Sequence, residues 1–298
     1  MKNKFINLKK FYDDNGYCIV KNLISNKKID LFLDNFKKKI ISNKKEIILP
    51  SMNLQKITSL KKKNNVLLDT LGDIHCIKYL NKKYTELNDE SLKIICSKEI
   101  NQILKILHGF NKFNLIMSMF FDGKSGTPAH QDSYYLDSYP SGNLTAAWIA
   151  CENINIKAGR FFVIPKSNKI EITLNKEEIT NPNKYEKKIH KFIKNENLNI
   201  VAPPLKKGDV LFWNSNTIHG SMKNVDKNFS RKSFTCHFIP QKFKFVRNKY
   251  NPEIRKFKYF NFNDNFKCRI TNSINKEFDR TKYISRSKKS FDLLALNN

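Results

Sequence analysis

Apolar residues change their spacing along this chain. In the N-terminal third they recur at helical intervals; from about residue 114 onward they fall in short runs separated by turn residues. The first signal is a turn at Asn15-Gly16 that leads into a short apolar strand, Tyr17-Cys18-Ile19-Val20. A helix should follow, with Ser25 as its N-cap and Ile29, Phe32, Leu33, Phe36 and Ile40 on one face and lysines on the other. A second helix is predicted from Ser97, because Ile100, Ile103, Leu104 and Leu107 form a stripe and Glu99 places an acid in the first turn, where the helix dipole favours it. Both are expected to lay their apolar stripes on a sheet. Residues 41–95 show no clean period and predict no element.

Beyond residue 114 the β-type runs are 114–121, 144–151, 160–164, 210–213 and 233–239. Asp122-Gly123-Lys124-Ser125-Gly126, Tyr139-Pro140-Ser141-Gly142 and Lys206-Lys207-Gly208-Asp209 supply turns between them. Short strands at such intervals predict a sandwich or jelly roll. Two stretches fit less simply. Residues 169–200, rich in lysine and asparagine, are too long for a hairpin loop, and excursions of that length are often lids. The tail after residue 241 is basic and aromatic, suited to added helices or to wrapping the core.

Length and composition narrow the classes. At 298 residues, a chain of this texture commonly forms one main domain. No window of about 18 apolar residues exists and the first seven residues contain no apolar leader, so the sequence predicts no membrane span and a soluble, cytoplasmic protein. The six cysteines lie far apart with no Cys-x-x-Cys pair, which fits reduced thiols better than a zinc knuckle or disulfide framework. The net charge of +28 invites a nucleic-acid reading. However, the lysines are spread through nearly every segment, with no arginine-rich helix or aromatic RNA-recognition signature, so no specific nucleic-acid partner is expected. Lys, Asn, Ile and Phe also share A- and T-rich codons, so biased base composition is one source of the excess and a functional charge is the other.

One short run carries chemistry. His130-Gln131-Asp132 is followed downstream by His219 and then by Arg231 and Ser233. Two imidazoles and a carboxylate can hold iron(II) on one face, leaving positions for a co-substrate and for oxygen. In extended backbone, side chains two apart share a side, so His130 and Asp132 can converge while Gln131 points elsewhere. His219 would close the triad through non-local folding. A 2-oxoacid co-substrate with a distal carboxylate needs a fixed cation, and the planar guanidinium of Arg231 can meet it with two parallel hydrogen bonds; Ser233, two residues on, faces the same side. His-x-Asp alone arises often by chance. The order of metal pair, strands, Gly-Asp turn, His219 and Arg231-x-Ser233 does not. His75, His108 and His190 lack an acid at ligand spacing and predict surface or packing roles, and His237 reads as a packed neighbour on the Arg231 strand, not a fourth ligand.

At these residues the chain resembles the phytanoyl-CoA dioxygenase family of iron(II)/2-oxoglutarate oxygenases. The matching text is Thr127-Pro128-Ala129-His130-Gln131-Asp132, Trp148-Ile149-Ala150, Ala158-Gly159-Arg160-Phe161-Phe162-Val163-Ile164-Pro165, and Gly208-Asp209-Val210-Leu211-Phe212-Trp213 through His219-Gly220-Ser221, with Gly16 to Val20 similar to the family's N-terminus. The resemblance implies an α+β fold, mainly β with packing helices: a double-stranded β-helix, or jelly-roll barrel, with N-terminal helices outside. It implies a single domain over 1–245, with 246–298 as a basic C-terminal extension packed on it. By family position, His130, Asp132 and His219 are the iron ligands and Arg231 anchors 2-oxoglutarate, while Gln131, Trp148 and Ser221 line the co-substrate pocket, to which Ser233 adds a donor. The implied cofactors are Fe(II), 2-oxoglutarate and O2. The implied activity is hydroxylation of a small or carrier-linked metabolite, with release of succinate and CO2; the positive charge adds the expectation that this metabolite is anionic. The other reading is a catalytically silent barrel that binds a metabolite, against which the intact triad and Arg231 argue. Two departures stand out: the family's Pro-Gly-Ser-His reads Pro165-Lys166-Ser167-Asn168 here, and the gap from His219 to Arg231 is one residue longer. Sequence sets neither substrate nor oligomeric state.

Overall fold

A computed structural model of the chain describes residues 2–43, 48–51, 56–59, 62–63, 66–123, 126–226 and 228–270. In chain order the elements are α1 (Lys2–Asn15), β1 (Tyr17–Val20), α2 (Asn26–Phe36), β2 (Ile48–Ser51), β3 (Lys56–Ser59), β4 (Lys62–Lys63), β5 (Val66–Leu67), β6 (Leu71–Gly72), α3 (Thr85–Ile95), α4 (Lys98–His108) and β7 (Phe113–Phe121). There follow β8 (Asp137–Tyr139), β9 (Thr145–Ala150), β10 (Phe161–Val163), α5 (Lys176–Thr180), α6 (Pro182–Asn195), β11 (Val210–Asn214), β12 (His219–Ser221), β13 (Ser233–Pro240), β14 (Lys244–Val246), β15 (Tyr259–Asn261) and β16 (Phe266–Arg269).

The two predicted helices form where their caps place them. The Ser25 side chain accepts the Lys28 backbone N–H at the start of α2, and Ser97 accepts that of Ile100 at the start of α4. Their stripes, with Ile29, Phe32 and Phe36 on α2 and Ile100, Ile103, Leu104 and Leu107 on α4, are buried. Four of the helices among the described residues were not anticipated, α1 and α3 here and α5 and α6 below. In α1 the amphipathic period is weak, and Tyr12 is the deeply buried anchor, its hydroxyl bonded to Thr145. In α3 the apolar residues Leu87, Leu92, Ile94 and Ile95 are buried together with Asn88, Glu90 and Ser91, so burial on several faces blurs the helical stripe.

The main sheet runs β1-β11-β9-β13-β7-β6-β2-β3. These neighbours are antiparallel, whereas β16 joins β7 in parallel. The pairs β10-β12 and β8-β14 form shorter sheets. Residues of one strand alternate between two cores. Phe120, Phe212, Phe234, Cys236 and Phe238 pack with α2, α3 and α4. Trp148, Leu211, Trp213 and Ile239 pack on the other side against Phe161, Val163 and Phe245 of the short sheets. Two sheets around an inner core with helices outside make this an α+β double-stranded β-helix, the fold that the resemblance implies.

Both irregular regions are structured among the described residues. The 169–200 stretch contains helices α5 and α6, and the buried Tyr185, Ile189 and Ile193 of α6 form a third core with Ala129, Tyr134 and Ile218. It is therefore a packed element and not a long open loop. After residue 241 the chain adds strands rather than helices: β14 pairs with β8, and β15-β16 joins the sheet at β7. Residues 271–298 of the tail, and Lys124 and Ser125 of the turn before His130, lie outside the described residues.

Candidate metal centre

Backbone hydrogen bonds bring the first two candidate ligands together. His130 N–H donates to His219 O and His219 N–H donates to His130 O, both at 2.9 Å, an isolated antiparallel bridge between the loop after β7 and the start of β12. The imidazoles lie side by side, ring centroids 4.3 Å apart. Gln131 keeps extended backbone (φ −100°, ψ 135°) before Asp132 opens a short 3-10 turn, so Asp132 falls on the same side as His130, as the two-residue spacing predicts. Glycine is required beside His219: a Cβ at Gly220 would come within 2.9 Å of both the Phe162 ring and the Thr127 carbonyl.

Each imidazole is oriented by a carbonyl. His130 Nδ1 lies 2.8 Å from Pro128 O, and His219 Nδ1 lies 2.9 Å from Thr217 O. A carbonyl can only accept, so Nδ1 carries the proton in both rings and each Nε2 presents a lone pair. Those Nε2 atoms stand 3.7 Å and 3.5 Å from Asp132 Oδ1. The ligand atoms of all three residues lie within 4.8 Å of one another and all three residues are buried. Burial pushes the His219 imidazole down to about 3, so it is neutral at ordinary pH and free to donate its lone pair. Burial works to raise the Asp132 carboxyl, but the imidazoles of His219, His237 and His130 hold it well below the usual carboxylate range. Two imidazoles and one carboxylate on one side of a pocket fit iron(II).

Asp132 uses its second oxygen elsewhere. Oδ2 accepts the Trp213 indole N–H at 2.8 Å and faces His237 Nε2 at 3.3 Å, which leaves Oδ1 toward the two histidines. Sequence reading ranked His237 as a packed neighbour and Trp213 as a strand residue; both instead touch the carboxylate. His237 shares strand parity with Ser233, a signal that was present, whereas an indole inside an apolar strand looks like ordinary core. His75, expected at the surface or in packing, is fully buried and bridges Ser118 Oγ and Arg269 O, away from the triad.

Arg231 precedes β13 and is buried, its guanidinium 5.3 Å from the Phe121 ring centre and 5.9 Å from that of Trp148. Burial lowers its pKa to about 10, which keeps it charged at neutral pH. A row of rings links it to the triad: Trp148 stacks on Phe161 at 5.9 Å, and Phe161 lies 5.6 Å from His219. Ser233 donates its hydroxyl to Arg231 O at 3.1 Å. Ser221 Oγ accepts the Thr127 N–H at 2.7 Å, and the Gln131 side-chain amide donates to Asn216 O; both hold the loops that carry the histidines.

The comparisons with known proteins agree with this geometry. The phytanoyl-CoA dioxygenase (PhyH) family model matches residues 12–233. The chain is 28% identical over 251 residues to bovine peroxisomal phytanoyl-CoA dioxygenase, covering 77% of this chain and 67% of that protein. It is 31% identical over 172 residues to a Dictyostelium discoideum homologue of phytanoyl-CoA dioxygenase domain-containing protein 1, 55% of this chain and 57% of that one. Among solved structures, the epimerase SnoN in complex with Fe3+, alpha ketoglutarate and nogalamycin RO is similar with a TM-score of 0.56 at 15% identity, covering 83% of this chain and 87% of that one. EctD from S. alaskensis with 2-oxoglutarate and 5-hydroxyectoine also gives a TM-score of 0.56, at 14% identity over 83% of this chain and 80% of that one. The fold, the convergent donor set and a family match over most of the chain lead to one conclusion: the chain belongs to the phytanoyl-CoA dioxygenase (PhyH) family of iron(II)- and 2-oxoglutarate-dependent dioxygenases.

Proposed function

We propose that this dioxygenase hydroxylates a C–H bond of a small or carrier-linked metabolite. The observation that carries the reading is the convergence of His130 Nε2, His219 Nε2 and Asp132 Oδ1, with both Nδ1 protons fixed on carbonyls. His130, Asp132 and His219 would hold the iron, and Arg231 would bind the distal carboxylate of 2-oxoglutarate in a two-point contact. Ser233, Ser221, Gln131 and Trp148 complete the co-substrate pocket in this proposal. Iron(II), when bound with 2-oxoglutarate and O2, supplies oxidative decarboxylation: one oxygen atom enters succinate, CO2 leaves, and the second oxygen atom enters the substrate C–H bond. The protein's part is to place substrate and co-substrate and to exclude water, a task for which the rings of Trp148, Phe161 and Trp213 on the inner face are suited. Because Asp132 fills the position that a halide would need, hydroxylation and not halogenation is expected.

The bovine relative's name specifies phytanoyl-CoA, which supports a carrier-linked substrate. The net charge of +28 supports an anionic one, with Lys166 at the end of the β10 segment a candidate for steering it. We further propose that residues 1–245 act as one catalytic domain and that 246–298 is an extension of it; the β16-β7 pairing supports this for the described residues 246–270. No helix among the described residues is long and apolar enough to cross a membrane. Six buried cysteines outside any disulfide support the cytoplasm as the compartment, testable by cell fractionation. The function is tested by succinate release with iron(II), O2 and panels of acyl carriers, amino acids and sugar derivatives. Anaerobic addition of 2-oxoglutarate should produce the weak visible charge-transfer band of a chelated iron(II) complex. Persistence of that band and of the iron stoichiometry in His130→Ala or His219→Ala would reject the ligand assignment. Binding of 2-oxoglutarate without turnover of any substrate would favour a silent metabolite-binding barrel.

A further inference from the structure

The 169–200 insertion touches the segment that carries two of the candidate ligands at Ala129, Gln131, Tyr134 and Tyr135. Tyr185 of α6, fully buried, accepts the backbone N–H of Gln131 on its hydroxyl at 2.9 Å, and Gln131 is the residue between His130 and Asp132. The Tyr185 ring stacks on that of Tyr134, centroids 3.7 Å apart and planes within 2°. Tyr134 in turn donates its hydroxyl to the carbonyls of Glu178 and Ile179 in α5, at 3.0 Å each. Tyr135 donates to Glu186 of α6 at 2.9 Å, while its ring meets that of His130 edge-on at 5.5 Å. Ile189 and Ile193 of α6 lie in one apolar cluster with Ala129, next to His130, and Ile218, next to His219.

We propose that the insertion is a fixed clamp on the metal-ligand loop and that Tyr185 is a positioning residue, its hydroxyl setting the Gln131 peptide so that His130 and Asp132 converge. The inference rests on the metal reading given above. A lid must open to admit substrate, and its inner face has to tolerate water. Opening α6 would expose Tyr185, Ile189 and Ile193 and break the Tyr185 and Tyr135 hydrogen bonds at once, so this element belongs to the stable part of the fold. A group that orders a ligand loop is linked to metal affinity in both directions: metal binding must stabilise α6, and weakening the contact must weaken the metal.

The test uses Co(II) chloride added to the metal-free, full-length chain, read by calorimetric titration and by ligand-field absorption. Tyr185→Phe keeps the ring on Tyr134 and removes only the hydroxyl. It should weaken Co(II) binding by about 10-fold or more, the range typical of partners that orient metal ligands, and alter the ligand-field bands. Leu104→Ala on α4 lowers stability in the apolar core beneath the helices, away from the insertion; it should lower the unfolding midpoint while Co(II) affinity and spectrum stay as in the parent. Parent-like affinity and spectrum in Tyr185→Phe overturn the proposal, as does an equal loss of affinity in the two variants. His130→Ala separates the two layers of argument: if it retains Co(II), the metal reading fails and this inference fails with it. Should Tyr185→Phe not fold, hydrogen exchange of the unaltered protein decides. Co(II) should slow exchange at Gln131 and along α6, and unchanged exchange in α6 would overturn the coupling.

Discussion

Strand β13 presents two different chemistries on its two faces. Phe234, Cys236 and Phe238 turn outward into the apolar layer beneath the helices, where Phe32 of α2 lies 4.6 Å from Phe234, ring centre to ring centre. Arg231, just before the strand, Trp148 beside it and His237 within it turn inward, with His237 against Asp132. The period of two assigns stability to one face and the site to the other. Since the faces share only backbone, a change on one should leave the other intact, and that separation can be broken experimentally.

The largest expected effect is on the outer face. Phe234→Ala should destabilise the protein by about 3–5 kcal/mol, the usual cost of deleting a buried aromatic ring and leaving a cavity, measured by urea unfolding. The fraction that stays folded should bind iron(II) and 2-oxoglutarate with unchanged affinity. A parallel loss of iron affinity would show that the helix layer sets the site geometry.

Acid should act on both faces. Burial holds His219 down to about 3, against an ordinary 6.5, and burial with Lys9 nearby holds His108 down to about 4. Both folded-state values lie below the unfolded one, so the unfolded chain takes up protons first as pH falls. The stability these groups contribute is fully present above about 6.5 and is lost progressively as pH falls through about 4 and then about 3, with stability rising with pH across that window. In the metal-free protein, His219→Ala should flatten the unfolding midpoint against pH between pH 6 and 4. An equally steep profile in the variant would place the acid sensitivity elsewhere.

Arg231→Lys comes next. Lysine keeps the charge and loses the planar two-point contact, so 2-oxoglutarate binding should weaken by about 1.5–3 kcal/mol, roughly one to two orders of magnitude, with iron affinity retained. An unchanged titration would remove Arg231 as the anchor. A matching loss of iron affinity would show that the two ends of the inner face are coupled through the Trp148-Phe161-His219 rings.

How much of this was legible in sequence follows from distance and parity. His130-x-Asp132 was readable because two ligands sit two residues apart in nearly extended backbone. Arg231-x-Ser233 rests on the same parity, and its role as the co-substrate anchor remains a proposal. His237 has that parity as well, but the apolar residues around it, Phe238 and Ile239, suggested packing. Trp213 was placed in the right strand without a role, since indole suits a core whether or not its N–H is used. Tyr185 could not be found from sequence: its partner is the Gln131 backbone 54 positions away, and a backbone N–H leaves no mark in sequence. Helix α3 was missed because burial on several faces removes the stripe on which helix recognition depends.

The smallest effect concerns a turn that belongs to neither face. Lys166 adopts φ 66°, ψ −2°, the left-handed region, at the position where the family's usual motif has glycine. A side chain there meets its own backbone, at a cost of about 1–2 kcal/mol, while glycine would add back roughly 0.5–1 kcal/mol of chain entropy in the unfolded state. Lys166→Gly should therefore stabilise the protein by about 1 kcal/mol or less, seen as a higher urea midpoint with an unchanged slope. The turn matters to the site through Ser167, whose hydroxyl accepts the Ile218 N–H at 2.8 Å, one residue before His219. Iron affinity should nevertheless hold, because the glycine keeps the same backbone course. The charge supplies a second readout. If Lys166 steers an anionic substrate, turnover at low salt should fall in Lys166→Gly and its salt dependence should shrink, while 2-oxoglutarate binding stays constant. An unchanged salt dependence would leave Lys166 as a strained turn residue with no part in substrate capture.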